Sequence, residues 1–251
     1  MINLKNKVTL VTGGSRGIGR AVCLLFAGAG SDVIINYRSD RRSAADVRKE
    51  AEKLGVRAFE MPADVSDKKQ VDAMVETAIR EFGKIDVLVN NAGIWKYHPI
   101  DEMTDVELKE TLDINLLGSF YAAMAVVPHM KERKSGVIIN ISSTAGQRGE
   151  AYHSPYAASK GAVISLTKSL AAELAEYNIR VNCVAPGWVE TDISRDALSS
   201  EQSGDILRQI PLGRVASPEE IAGPVLFLAS DLAGFVTGEI LNANGGAVLC
   251  G

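Results

Sequence analysis

The sequence predicts an α/β fold, a doubly wound parallel sheet with helices on both faces, and three observations predict it. Short β-branched runs recur along the 251 residues, helical patterns separate them, and a glycine-rich turn joins the first run to the first helical stretch. Alternation of this kind gives a parallel sheet whose ligands sit at the carboxyl ends of its strands. One domain spanning 1–251 is expected, because 46% hydrophobic residues suffice for a single sizeable core and no linker, repeat or low-complexity tract divides the chain.

The first strand is "KVTLVT" (7–12), nearly continuous in apolar character as a strand covered on both faces must be. The turn that follows, "GGSRGIG", carries Gly13, Gly17 and Gly19 in G-x3-G-x-G spacing, with Ser15, Arg16 and Ile18 between them. Glycines permit a tight turn and close backbone approach, and a helix opening there offers unpaired N–H groups to a pyrophosphate. The second strand, "DVIINY" (32–37), ends where a dinucleotide site selective for NAD would place an acid on the ribose 2′-hydroxyl. Asn36 and Tyr37 stand there instead, with Arg38 next, so Arg38 and Arg16 could converge on a 2′-phosphate. NADP is therefore expected over NAD, with Asp40 near enough to leave NAD as the weaker alternative.

The third run is "RAFEMPADV" (57–65), followed by the helical "DKKQVDAMVETAIREFG" (67–83), whose closing Gly83 suits a left-handed cap. Then come "IDVLVNNAG" (85–93), "GVIINIS" (136–142) and "RVNCVAP" (180–186). The stretch after the last of these, about 187–217, is longer and more polar than the other connections, as a substrate lid would be. Trp95, Tyr97, Tyr152, His153 and Trp188 are candidates to line an acyl channel or to pack in the core.

Within "SPYAASKGA", Tyr156 and Lys160 are four residues apart and share a helix face. An adjacent fixed cation lowers a phenol's pKa, which would make Tyr156 an acid or base near neutrality. Ser143 follows the carboxyl end of "GVIINIS", at the edge where ligands bind; Ser142 is its neighbouring alternative. Asn115 lies among Leu112, Leu116 and Phe120, where a short amide is a poor helix former. A formal net charge of −4 and the lack of a basic block argue against nucleic acid. Cys23, Cys183 and Cys250 form no CxxC or Cys/His cluster, so neither a disulfide framework nor a metal site is expected and a cytoplasmic setting fits. No apolar run approaches a membrane span, and no membrane partner is expected.

With "TGGSRGIG", "NNAG", Asn115, "ISS", "YAASK" and "PG" in this order, the chain resembles the short-chain dehydrogenase/reductase family from about Lys7 to Gly246. That resemblance implies a Rossmann-type fold, Tyr156 as proton donor, Lys160 as the group that lowers its pKa and binds the nicotinamide ribose, Ser143 as holder of the carbonyl oxygen, and Asn115 as anchor of a water leading to the lysine. It further implies that Asp64 and Val65 meet the adenine, that Asn91, Ala92 and Gly93 lie beside the adenosine and nicotinamide, and that Pro186, Gly187, Val189 and Thr191 hold the carboxamide. Gly93 and Gly187 also suit points where backbone nears a ligand.

Within the family, "SSTAGQRG", "SLAAELAEYNIRVNCVAPGWVETDI" and "VTGEILNANGG" resemble 3-oxoacyl-[acyl-carrier-protein] reductases, implying NADPH-dependent reduction of a 3-oxoacyl thioester carried on acyl carrier protein or CoA. Lys134 matches one basic position that receives the acidic carrier in those enzymes, in a cluster with Lys131 and Arg133, whereas Tyr177 stands at the other. The alternatives are an NAD(P)-dependent sugar or alcohol dehydrogenase, which "INYRS" resembles, and a non-catalytic NADP-sensing regulatory protein. The family's usual homotetramer, pairing helices near 104–131 and 154–176, is implied by the same likeness.

Overall fold

The computed structural model describes residues 2–199 and 203–249, so Cys250 and residues 200–202 of the expected lid lie outside the described residues. Seven parallel strands form one sheet in the order β3-β2-β1-β4-β5-β6-β7. They are β1 (Val8–Val11), β2 (Asp32–Tyr37), β3 (Ala58–Pro62), β4 (Val87–Asn90), β5 (Gly136–Ile141), β6 (Ile179–Pro186) and β7 (Ile240–Ala243). The six runs named from sequence each contain a strand. The seventh, "ILNA", is short and half-buried throughout, too weak a pattern to stand out.

Neighbouring residues of each central strand divide between two cores. Val11, Ile35, Val89 and Ile139 pack on one face with Phe26 and Val225, which lie on α1 (Gly17–Gly28) and on the helix Pro218–Ala229 near the C-terminus. Leu10, Ile34, Leu88 and Ile138 pack on the other with Val75 and Met130. That second layer holds α3 (Lys68–Phe82) and α5 (Gly118–Arg133), while α2 (Arg41–Lys53) caps its own start through Asp40. Gly83 ends α3 in the left-handed conformation, φ 77°, as expected.

Because the chain crosses from β3 to β4 on the far side of β1, the sheet switches direction between β1 and β4 and opens a crevice at their carboxyl ends. A buried relay stiffens the floor beneath it. Asn90 Nδ2 donates to Asn140 Oδ1 (2.9 Å), and Asn140 Nδ2 donates to Thr167 Oγ1 (2.9 Å) on α7 (Ser154–Leu174).

Two helical regions lie outside the patterns named from sequence. The rod formed by α4 (Asp105–Leu112), a π-helical turn (Asp113–Leu117) and α5 is 29 residues long and contains an 18-residue window with a mean hydropathy of 1.3, long and apolar enough by composition alone to cross a bilayer. Here that apolar character is partly spent inside the fold, since Ala122, Ala123, Val126 and Met130 are buried. The 187–217 stretch contains α8 (Arg195–Leu198) and α9 (Ser203–Arg208) and is pinned at its base by a Val189–Ala216 bridge. The chain then enters α10 (Pro218–Ala229) through a Ser217–Glu220 capping box.

Candidate active site

The glycine turn is built by its neighbours. Gly13 takes φ +62°, which an L side chain would resist, and the Gly13 amide donates to Asn36 Oδ1 (3.1 Å). Asn91 Nδ2 donates to the carbonyls of Thr12 (3.0 Å) and Gly13 (3.1 Å). Thr12 Oγ1 in turn accepts from the amides of Asn91 and Ala92. A Cβ on Gly19 would lie 2.2 Å from the Gly13 carbonyl, so the third glycine closes the turn and does not itself line the crevice. The N-terminus of α1 carries no side-chain cap and no acid in its first turn, leaving its N–H groups for a phosphate.

One crevice is lined by Gly13, Ser15, Arg16, Gly17, Ile18 and Arg38 at one end and by Ser143, Tyr156 and Lys160 at the other. Asp64, Val65, Asn91, Ala92, Gly93, Pro186, Gly187, Val189 and Thr191 lie between or beside them. Asn36 also borders it, yet its side chain is spent on holding structure: Nδ2 donates to Ala63 O at 3.0 Å while Oδ1 holds the glycine turn. Arg38 is exposed at the crevice edge, with no ion pair among the described residues. Arg16 reaches across to Asp192 at 3.9 Å, an exposed and weak pair that an anionic ligand would outcompete. Asp40, the acid that left NAD open, accepts from the Ser43 amide (3.0 Å) and hydroxyl (2.6 Å) as the cap of α2.

Burial shapes both titratable groups at the reacting end. Burial pushes the Tyr156 phenol up to about 12, the Ser143 hydroxyl offsets part of this, and the Glu150 charge adds to it. Burial also takes the Lys160 ammonium down to about 8. Lys160 Nζ lies 5.8 Å from the Tyr156 ring centroid and donates to Ile141 O at 2.8 Å. Desolvation is the largest cause of both shifts.

Asn115 is fully buried in the π turn, and neither its own helix nor the crevice takes its amide. Oδ1 accepts from the Ile94 amide (2.8 Å), while Nδ2 donates to Ile94 O (2.9 Å) and Ser159 Oγ (3.3 Å). It is a positioning residue that ties the β4 end to α7. The Ser142 hydroxyl donates to Lys160 O at 2.8 Å, and Ser143 stands at the N-cap of α6 (Thr144–Arg148). Gly187 does give close approach, but to Asn244, 2.9 Å from where its Cβ would be, and a Cβ on Gly93 would meet Asn115 Oδ1 at 3.2 Å.

The aromatic candidates separate into two groups. Trp95 stacks flat on His153 (4.2 Å, 2°) and meets Trp188 edge-on (5.8 Å, 86°), and both tryptophans line the crevice. Tyr97 and Tyr152 stack on one another at 5.4 Å but are exposed, and neither lines it. Glu150 and Arg148, unmarked in the sequence because a lone charge near a turn carries no periodic signal, also line the crevice.

The basic cluster is not at the crevice mouth. Lys134 caps the C-terminus of α5 just before β5 begins, whereas Ser143 follows the end of β5, so about 20 Å of strand separates them. Arg133 is committed to buried Asp86 (2.7 Å), and Lys131 lies over the Tyr177 ring at 4.5 Å.

A phosphate-binding turn on β1–α1 and a serine, tyrosine and lysine at the far end of the same crevice define a dinucleotide-dependent oxidoreductase. A family model described as enoyl-(acyl carrier protein) reductase matches residues 13–248. The chain belongs to the short-chain dehydrogenase/reductase family, which implies a nicotinamide cofactor. It is 43% identical over 240 residues to the 3-oxoacyl-[acyl-carrier-protein] reductase FabG of Staphylococcus aureus, covering 96% of this chain and 97% of that one. It is 41% identical over 248 residues to the protein of that name from Thermotoga maritima, covering 99% and 100%. Among solved structures, the 3-oxoacyl-[acyl-carrier protein] reductase of Brucella melitensis superposes with a TM-score of 0.91 at 35% identity, covering 98% of this chain and 92% of that one.

Proposed function

We propose that the protein reduces the 3-oxo group of an acyl thioester to the 3-hydroxyacyl product, with NADPH as reductant. The observation that carries this is the convergence of Ser143, Tyr156 and Lys160 on the crevice that the glycine turn also lines. NADPH, when bound, supplies the hydride. Ser143 donates a hydrogen bond to the substrate oxygen, and Tyr156 gives that oxygen its proton as the hydride reaches carbon, so carbonyl, hydride and proton balance to an alcohol. Lys160, oriented by the Ile141 carbonyl, offers its remaining N–H groups to ribose hydroxyls. Gly13, Gly17 and the α1 N-terminus fit the pyrophosphate.

Arg38 supports NADPH over NADH, because an unpaired guanidinium is suited to a 2′-phosphate while Asp40 is engaged as a cap. The stretch 187–217 acts as the lid, and its link to Arg16 through Asp192 gives closure a route to the cofactor end. The similarity to acyl-carrier-protein reductases, together with the buried reduced thiols of Cys23 and Cys183, fits a cytoplasmic enzyme.

The test is a panel of a 3-oxoacyl thioester, the matching enoyl thioester, a sugar and a simple alcohol, assayed with NADPH, NADH and their oxidised forms. Efficient turnover of the 3-oxo thioester with NADPH is expected. Turnover confined to the sugar or alcohol would replace this reading with a dehydrogenase, and tight NADPH binding without any turnover would leave a cofactor sensor.

A further inference from the structure

Glu150 lies between α6 and α7, six residues before Tyr156, and its half-buried side chain lines the crevice. Oε2 accepts from Trp95 Nε1 at 3.2 Å. Trp95 is fixed in turn, flat against buried His153 and edge-on to Trp188. The His153 ring is itself anchored, with Nδ1 3.0 Å from Ala151 O. No described cation pairs with the carboxylate, and Oε1 has no hydrogen-bond donor among the described residues. Glu150 lines the same crevice as Tyr156, and its charge adds to the upward shift of the phenol.

A partly desolvated carboxylate with one spare oxygen gains from any donor brought to it and repels any anion. The flanking indole faces favour polar groups with apolar or cationic bodies. We infer that Glu150 sets substrate choice: its carboxylate, braced by the Trp95 indole, accepts a hydrogen bond from a donor on the substrate and excludes substrates carrying an anionic group near the reacting carbonyl. This rests on the reading of the site as a carbonyl reductase. The amide N–H groups of a thioester's pantetheine arm are donors of the kind required.

The experiment exploits the two tryptophans of the chain, both of which line this crevice. Their fluorescence reports binding of four small methyl ketones, identical except for a terminal methyl, hydroxyl, ammonium or carboxylate, to the protein saturated with NADP. The hydroxyl and ammonium ketones should bind about tenfold or more tighter than the methyl ketone, and the carboxylate weakest of all. Equal affinity for hydroxyl and ammonium identifies a neutral donor as the target; a clear lead for ammonium identifies a cation.

Glu150→Gln keeps the shape and should compress the ammonium-to-carboxylate range to about twofold. Trp95→Phe, which removes only the brace, should narrow the spread among the four while preserving the order. An identical ranking and spread in wild type and Glu150→Gln, with circular dichroism unchanged, would overturn the inference. Turnover of the ketones with NADPH is measured in parallel. Ordered binding without turnover would refute carbonyl reduction alone, and turnover without ordered binding would refute the role of Glu150 alone.

Discussion

Tyr156 and Lys160 are each driven by burial toward their neutral forms, the phenol up to about 12 and the amine down to about 8. For a reductase this is useful, since the phenol arrives protonated at every physiological pH. Tyr156→Phe should bind NADPH and stay folded while turnover falls about 10²- to 10⁴-fold, read by steady-state kinetics beside a fluorescence titration. For Lys160 the folded pKa is depressed, so the unfolded chain binds more protons between about pH 8 and 10.5, and stability rises with pH across that window. Lys160→Met removes the buried charge that costs stability below it but leaves Ile141 O unpaired. A net gain of about 1–2 kcal/mol at neutral pH is expected, seen as a higher Tm in a protein of much reduced activity. Unchanged Tm between wild type and variant at both pH 7 and pH 10 would refute the depressed pKa. Removing Arg38 should weaken NADPH about 10- to 100-fold and NADH little, by the usual value of a charge-assisted hydrogen bond. Equal losses would make Arg38 structural.

Among the elements, the central strands were readable because each buries both faces and so runs almost unbroken in apolar, largely β-branched residues. The turn after β1 was readable for a similar reason, as few sequences place three glycines between a strand and a helix. Gly19→Ala should abolish dinucleotide binding by calorimetry while circular dichroism stays near wild type, because the added Cβ meets the Gly13 carbonyl at 2.2 Å. Retained binding would mean that the turn can reshape. What the sequence did not reveal depends on tertiary depth. Ser142 and Ser143 are chemically equal in the chain and were told apart by the Lys160 carbonyl. Asn36 looked like a ligand contact because its amide partners, Gly13 and Ala63, are distant in sequence. Helical spacing shows that Tyr156 and Lys160 are near but not how far burial raises the phenol and lowers the amine.

At the scale of the whole molecule, the rod 105–133 has a second face. Phe120 and Met124 lie one turn apart on α5 and are both exposed, 38% and 54%, with Val106 of α4 exposed as well. An apolar stripe of this kind suits association with another copy, in keeping with the tetramer implied by the family resemblance. Met124→Glu should lower the mass measured by light scattering, and a wild-type monomer at every concentration would refute the expectation. The same rod carries Asn115 inside its π turn, where one residue more than an α-helix needs has been wound in. That extra residue is a phase setting: it fixes the angle between the half of the rod that addresses Ile94 and Ser159 and the half that presents Phe120 and Met124. Losing a single residue there would give a smoother helix and rotate one half against the other by about 100°, so that the cofactor's neighbourhood and the outer stripe could not both keep their bearings. The π turn thus sets the bearing of the Ile94 and Ser159 contacts against that of the outer stripe.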